Sequence, residues 1–112
     1  MQQITWQDFE KIEFRVGTIV EAKNFPEAQK PAYQLTVDLG QEVGIKKSSV
    51  HITHLYDKEE LVGKQVLCVC NFPPKQIANF RSEVLTCGFY LPMGEVVLAI
   101  PQQHVPNGSA LA

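Results

Sequence analysis

Tyr33-Gln34-Leu35-Thr36-Val37-Asp38-Leu39-Gly40 is the stretch on which the fold turns. Apolar side chains at 33, 35, 37 and 39 alternate with polar ones at 34, 36 and 38, which is the period of a strand with one buried face, and Gly40 ends it. Downstream, Gln41 to Gly44 reads as a turn. Ile45 to Val50 is a third strand carrying two lysines and two serines. His51 to Glu60 follows as a short helix or turn with Ile52, Leu55 and Tyr56 at helical spacing. Gly63-Lys64 then turns the chain into Gln65 to Asn71, an almost wholly apolar strand of the kind covered on both faces. Phe72-Pro73-Pro74-Lys75 cannot continue a central ladder, because proline has no N–H to donate, so a loop runs to about Phe80. Ser82 to Phe89 reads as a fifth strand. Val96 to Ile100 is a further short one after Pro92 and Gly94, ahead of a turn-rich tail.

Upstream, Asn24 to Ala28 and Pro31 form a loop. Phe14 to Ala22 is the first strand, with Phe14, Val16, Thr18 and Val20 on one face and Gly17 marking a bulge or a close backbone approach. Thr5-Trp6-Gln7-Asp8 fits a capping box, with Ile4 and Phe9 at staple positions, so a helix over Trp6 to Lys11 opens the chain. The prediction is an all-β protein: a five-stranded OB-fold barrel with a short helix between strands three and four, a short N-terminal helix and a C-terminal strand extension. Periodicity alone leaves a small sandwich as the rival.

With 112 residues, 45% hydrophobic and 20% charged, the chain has the size and composition of one folded domain spanning 1–112. No apolar run approaches the roughly 18 residues of a membrane helix, and Met1-Gln2-Gln3-Ile4 begins no signal sequence, so a cytoplasmic protein without membrane insertion is expected. The three cysteines, Cys68, Cys70 and Cys87, lack zinc-site spacing and read as reduced core residues. His51 and His54 stand at i, i+3 without a third ligand nearby, which makes them surface histidines ahead of any metal-dependent enzyme. Ser48 and Ser49 have no nucleophile-elbow context, and no phosphate-binding glycine loop exists, so neither catalysis nor a cofactor is expected.

The net charge of −2 argues against indiscriminate nucleic-acid binding, although its distribution is uneven. Residues 43–56 hold Lys46 and Lys47 with no acid, and residues 61–82 hold Lys64, Lys75 and Arg81 with none. Lys46, Lys47, Ser48, Ser49, Asn71, Lys75, Arg81 and Ser82, with Asn79, would make a phosphate- and base-contacting surface if they converge on one barrel face. The alternative is lysines that only solvate a surface. Phe72, Pro73, Pro74, Ile77 and Phe80 form an apolar loop: exposed, it suits an extended peptide or a partner subunit; buried, it covers the barrel end.

These segments resemble the tRNA-binding-domain family in five motifs in register: Arg15-Val16-Gly17-Thr18-Ile19, Pro26-Glu27-Ala28, Val37-Asp38-Leu39-Gly40, Leu61-Val62-Gly63-Lys64, and Asn71 through Pro74 to Ser82-Glu83. Gly44 to Ser49, Asn71 to Ala78, Phe80 to Leu85 and the ending Val105-Pro106-Asn107-Gly108 are similar to a subgroup of small export-related chaperones. That resemblance implies an OB-fold, a homodimer built with the terminal segments, and binding of unfolded or precursor polypeptides with residual tRNA affinity. Structure-specific tRNA binding by the dimer is the alternative it implies. Val84-Leu85 departs from the Gly-Met of many tRNA-binding members, placing a β-branched side chain where backbone would approach nucleic acid. That weighs toward polypeptide.

Overall fold

The computed structural model describes residues 1–112, and it is built mostly of strands. In chain order the elements are α1 (Trp6–Glu10), β1 (Phe14–Asn24), β2 (Tyr33–Asp38), α2 (Gly40–Val43), β3 (Ile45–Val50), α3 (Lys58–Leu61), β4 (Gln65–Val69), β5 (Lys75–Ile77), β6 (Phe80–Ser82), β7 (Leu85–Thr86), β8 (Gly88–Tyr90) and β9 (Val96–Leu98). The main sheet has five strands in the order β3-β2-β1-β4-β7, all pairs antiparallel. It curls into a nearly closed barrel of the OB type, with α3 between the third and fourth strands as the sequence predicts. No helix is long and apolar enough to cross a membrane.

The alternation in β2 does what its pattern dictates: Tyr33, Leu35 and Val37 are buried, and the residues between them are half-buried. They join Ile19, Leu39, Val66 and Cys68 in a core of 12 buried residues. Burial pushes the Cys68 thiol up to about 12, because an apolar interior disfavours the thiolate. In β1 the simple alternation fails. The register against β2 slips between Ile19 and Glu21, so Ile19 enters the core while Val20 stays exposed. Gly17 is a close approach: a Cβ there would sit 2.6 Å from Val37 Cγ1 and 2.8 Å from the Asp38 carbonyl oxygen.

Closure between the first and last sheet strands is made largely by side chains. Glu83 N–H donates to the Lys47 carbonyl at 2.8 Å, Lys47 N–H to the Glu83 carboxylate at 3.1 Å, and Ser49 N–H to the Ser82 hydroxyl at 3.1 Å. Inside the seam the Thr86 hydroxyl donates to the Ser48 hydroxyl at 2.8 Å, both residues being buried. Ser48→Ala is therefore expected to cost roughly 1–3 kcal/mol, the penalty of a buried hydroxyl left without a partner. Urea unfolding checks this, and Ser48→Ala with Thr86→Val should regain part of the loss. A double variant no more stable than the single one would show that the pair does not hold the seam.

Four further readings are corrected. Residues 72–80 are not all loop, since β5 and β6 form a hairpin around Ala78-Asn79, with Ala78 at φ 51°. The single strand expected over Ser82 to Phe89 is broken into the ends of β6, β7 and β8. Gln41 to Gly44 is mainly the short helix α2 rather than a turn, whereas His51 to Glu60 holds a turn and the start of α3, as expected. The Thr5 capping box forms, with Asp8 N–H 3.1 Å from Thr5 Oγ1 and Thr5 N–H 3.0 Å from Asp8 Oδ2. Ile4 remains exposed, however, and Phe9 packs with Trp6 and Phe14 at ring-centroid distances of 5.1 and 6.1 Å.

Residues 105–111 run back over the barrel as a strap. Gln65 grips Val105 reciprocally, its Nε2 donating to the Val105 carbonyl at 2.6 Å and its Oε1 accepting from the Val105 N–H at 3.0 Å. Beyond it, the Gly108 N–H donates to the Val16 carbonyl, the Val16 N–H to Ser109 and the Leu111 N–H to Phe14, filling the edge of β1 that β2 leaves free. Arg15 donates to the Gly108 carbonyl at 3.0 Å and pairs with Glu13 and Glu42. The Glu13 hydrogen bond leads in raising its guanidinium pKa.

Candidate ligand groove and apolar surfaces

The loop that Asn24, Pro26 and Pro31 impose between β1 and β2 faces the β5–β6 hairpin across an open groove of about 440 Å3. In an OB barrel these two connections flank the ligand face. Phe25 and Ala32 from the loop and Phe80 from the hairpin make a small core of their own beneath the groove, with Phe25 and Phe80 rings 5.4 Å apart. That cluster holds both walls. The groove is lined by Glu27 and Lys30 from the loop, His51 from the end of β3, and Lys75 and Gln76 from β5. The His51 ring lies with Nδ1 3.1 Å from the Pro31 carbonyl, and since a carbonyl only accepts, Nδ1 carries the proton. Ion pairs in the protein engage Lys11, Arg15 and Lys23, leaving the groove lysines Lys30 and Lys75 unpaired.

The residues singled out from sequence are dispersed by this geometry. Ser48 is fully buried and its hydroxyl is committed to Thr86, so it is no surface group. Ser82 spends its hydroxyl on Ser49 N–H, and the Ser49 Oγ is itself enclosed without a partner. Asn71 clips the N-terminal helix, its Nδ2 donating to the Lys11 carbonyl at 2.7 Å and its Oδ1 accepting from Glu13 N–H at 3.0 Å. Lys47, Lys75 and Arg81 are exposed and Lys46 half-buried. The pleat of the hairpin puts Lys75 on one face and Arg81, opposite Gln76, on the other. Lys30 and His51 were missed as groove residues; the Pro26-Glu27-Ala28 motif, pointing to the loop that carries Lys30, was the signal available.

The apolar set fares similarly. Phe72, Pro73 and Pro74 are exposed, but Ile77 is half-buried and Phe80 only 7% exposed, so the two readings of this loop are each half right. Val84 is 4% exposed and turned into the core, so its branched side chain does not stand between the backbone and a ligand. Larger apolar surfaces lie elsewhere. On the β8–β9 hairpin Phe89, Tyr90, Met93 and Val97 are exposed. At the other, Trp6, Phe9, Ile12, Phe14 and Leu111 line an opening of about 280 Å3 between α1 and the strap, and no residue of α1 is buried.

Residues 14–110 match the family model described as a putative tRNA binding domain. A methionine–tRNA ligase of Methanococcus aeolicus is 35% identical over 113 residues, covering 99% of this chain and 16% of the ligase. The chain thus spans a small part of that relative. Two solved chaperones match end to end. CsaA of Bacillus anthracis has a TM-score of 0.93 and 42% identity, covering 99% of this chain and 100% of that one. CsaA of Picrophilus torridus has a TM-score of 0.91 and 48% identity over 98% and 100%.

Proposed function

Because the chain belongs to the tRNA-binding-domain family, we propose from that membership that it acts, without catalysis, as a CsaA-like chaperone: a homodimer that holds unfolded or precursor polypeptides on the route to export. The observation that carries this reading is the match to two CsaA chaperones over essentially the full extent of both chains, at 42% and 48% identity. The ligase shares the fold only as a minor part of a much longer enzyme. Physical support comes from the apolar surfaces. A short helix with no buried residue, and a hairpin with Tyr90 at 85% and Met93 at 88% exposure, leave large apolar side chains in water that a partner or client could cover. Pairing through α1 and the strap would cover one of them. A client segment then finds Phe72, Pro73, Pro74 and the rim of Ile77 beside the groove.

The test is light scattering from a chemically denatured client diluted into buffer. Near-stoichiometric protein should lower the aggregation signal severalfold. A curve indistinguishable from that with an inert protein of the same size removes the chaperone reading.

A second reading, structure-specific tRNA binding by the dimer, is favoured by the free cations Lys46, Lys47, Lys75 and Arg81, none of which enters an ion pair. It predicts an affinity that falls steeply with salt, the slope easing by about 0.7–0.9 for each phosphate contact deleted.

A further inference from the structure

The groove between the β1–β2 loop and the β5–β6 hairpin has two properties that belong together. Its lysines are unpaired: Lys30 comes from the loop and Lys75 from β5, and Glu27 is the only acid in the lining. It also offers a strand edge. The two-residue turn at Ala78-Asn79 makes Ile77 and Phe80 the hydrogen-bonded closing pair of the hairpin. The next pair out, Gln76 with Arg81, is then of the non-bonded kind, so Gln76 directs its main-chain N–H and C=O away from β6. On the other side β6 runs against β3, where the Glu83 N–H that follows it donates to the Lys47 carbonyl. The free edge of the hairpin is that of β5, which borders the groove.

We propose that this groove binds an extended, acidic polypeptide segment. Its backbone pairs with Gln76 on the edge of β5, and its carboxylates are held by Lys30 and Lys75 with His51 beside them. The inference rests on the chaperone reading and names the client chemistry. Edge pairing supplies sequence-independent affinity while side-chain charge supplies selection. The alternative occupant, a nucleic-acid strand, is disfavoured by charge. The whole chain carries −2, and a groove of two lysines against one glutamate matches a few carboxylates better than a long polyanion. Lys30 and Lys75 enter no ion pair, so both are available to the carboxylates of an external segment. His51 is pinned through Nδ1 to Pro31, so its Nε2 has a fixed direction.

The experiment uses fluorescence anisotropy with three labelled peptides: an extended Glu/Thr repeat, the same peptide with Gln for Glu, and the Glu form N-methylated at alternate residues. The acidic peptide should bind at least tenfold more tightly than its Gln counterpart. N-methylation in one of the two alternating frames should weaken it by a similar factor, while the other frame is tolerated. Lys30→Gln with Lys75→Gln should erase the preference for Glu over Gln, and Glu27→Gln should tighten the acidic peptide two- to threefold, a gain that misfolding cannot imitate. Equal binding of the Glu and Gln peptides, or a preference that survives in the double lysine variant, overturns the proposal. So does tRNA binding that depends on Lys30 and Lys75 while the acidic peptide fails to bind. Light scattering run in parallel separates the two levels. If the wild-type chain suppresses aggregation yet shows no acidic preference, the groove proposal falls and the chaperone reading stands; if it suppresses nothing, the chaperone reading falls by itself.

Discussion

Gly17→Val is expected to lower stability by on the order of 3 kcal/mol or more, the upper range for overpacking a tight interior. The reason is geometric. A side chain at 17 would meet Val37 Cγ1 at 2.6 Å, Leu39 Cδ2 at 2.7 Å and the Asp38 carbonyl oxygen at 2.8 Å. The two methyl groups belong to buried core residues, and the oxygen is fixed because the pairing of Thr18 with Asp38 anchors β1 to β2. Relief requires moving the strand. Against a total stability of roughly 5–15 kcal/mol, that loss would drop the melting temperature by on the order of 10–20 °C. Differential scanning calorimetry and urea titration measure it. A midpoint within error of the parent would mean that β1 and β2 do not approach as closely as described.

The second large effect is expected at Gln65→Leu. The substitution keeps nearly the same volume while deleting both bonds to Val105 and the 3.3 Å contact of Nε2 with Asn107 Oδ1. Each lost bond leaves a partner short, so the cost should be about 2–3 kcal/mol. Its location is as informative as its size. Amide exchange should accelerate at Gly108, Leu111 and Val16, which bond across the strap, and far less at Leu35 or Val37 in the core. Protease sensitivity should appear between Pro101 and Pro106. Unchanged exchange at Gly108 and Val16 would show that Gln65 does not hold the strap.

Local chemistry made much of this fold legible before any coordinates. Alternation wrote β2 plainly, the Thr5–Asp8 spacing wrote the cap, and the apolar run from Gln65 wrote β4, which ends at Val69 rather than at Asn71. What stayed hidden depended on partners far along the chain. Val20 was placed on one face with Val16 because alternation was extended through a register slip that only pairing with β2 creates. Ser82 to Phe89 looked continuous because nothing in the residues announces that Glu83 and Val84 both bond to Lys47 of another strand. At the candidate site the same limit applied. Ser48 looks like a ligand group until Thr86 is placed opposite it, and Phe80 like an exposed anchor until Phe25 is. Lys30, His51 and Lys75 share a groove only after three separate turns have been folded.

The strap also sets an order of events during synthesis. The ribosome delivers β1 early, and residues 14–16 then wait with one edge unfilled until Gly108 to Leu111 have cleared the exit tunnel. Everything between β1 and the strap must be made before that edge is shielded. Until then the nascent protein is itself a polypeptide with an open strand edge and exposed apolar residues. Slower translation of the intervening stretch would prolong that exposure.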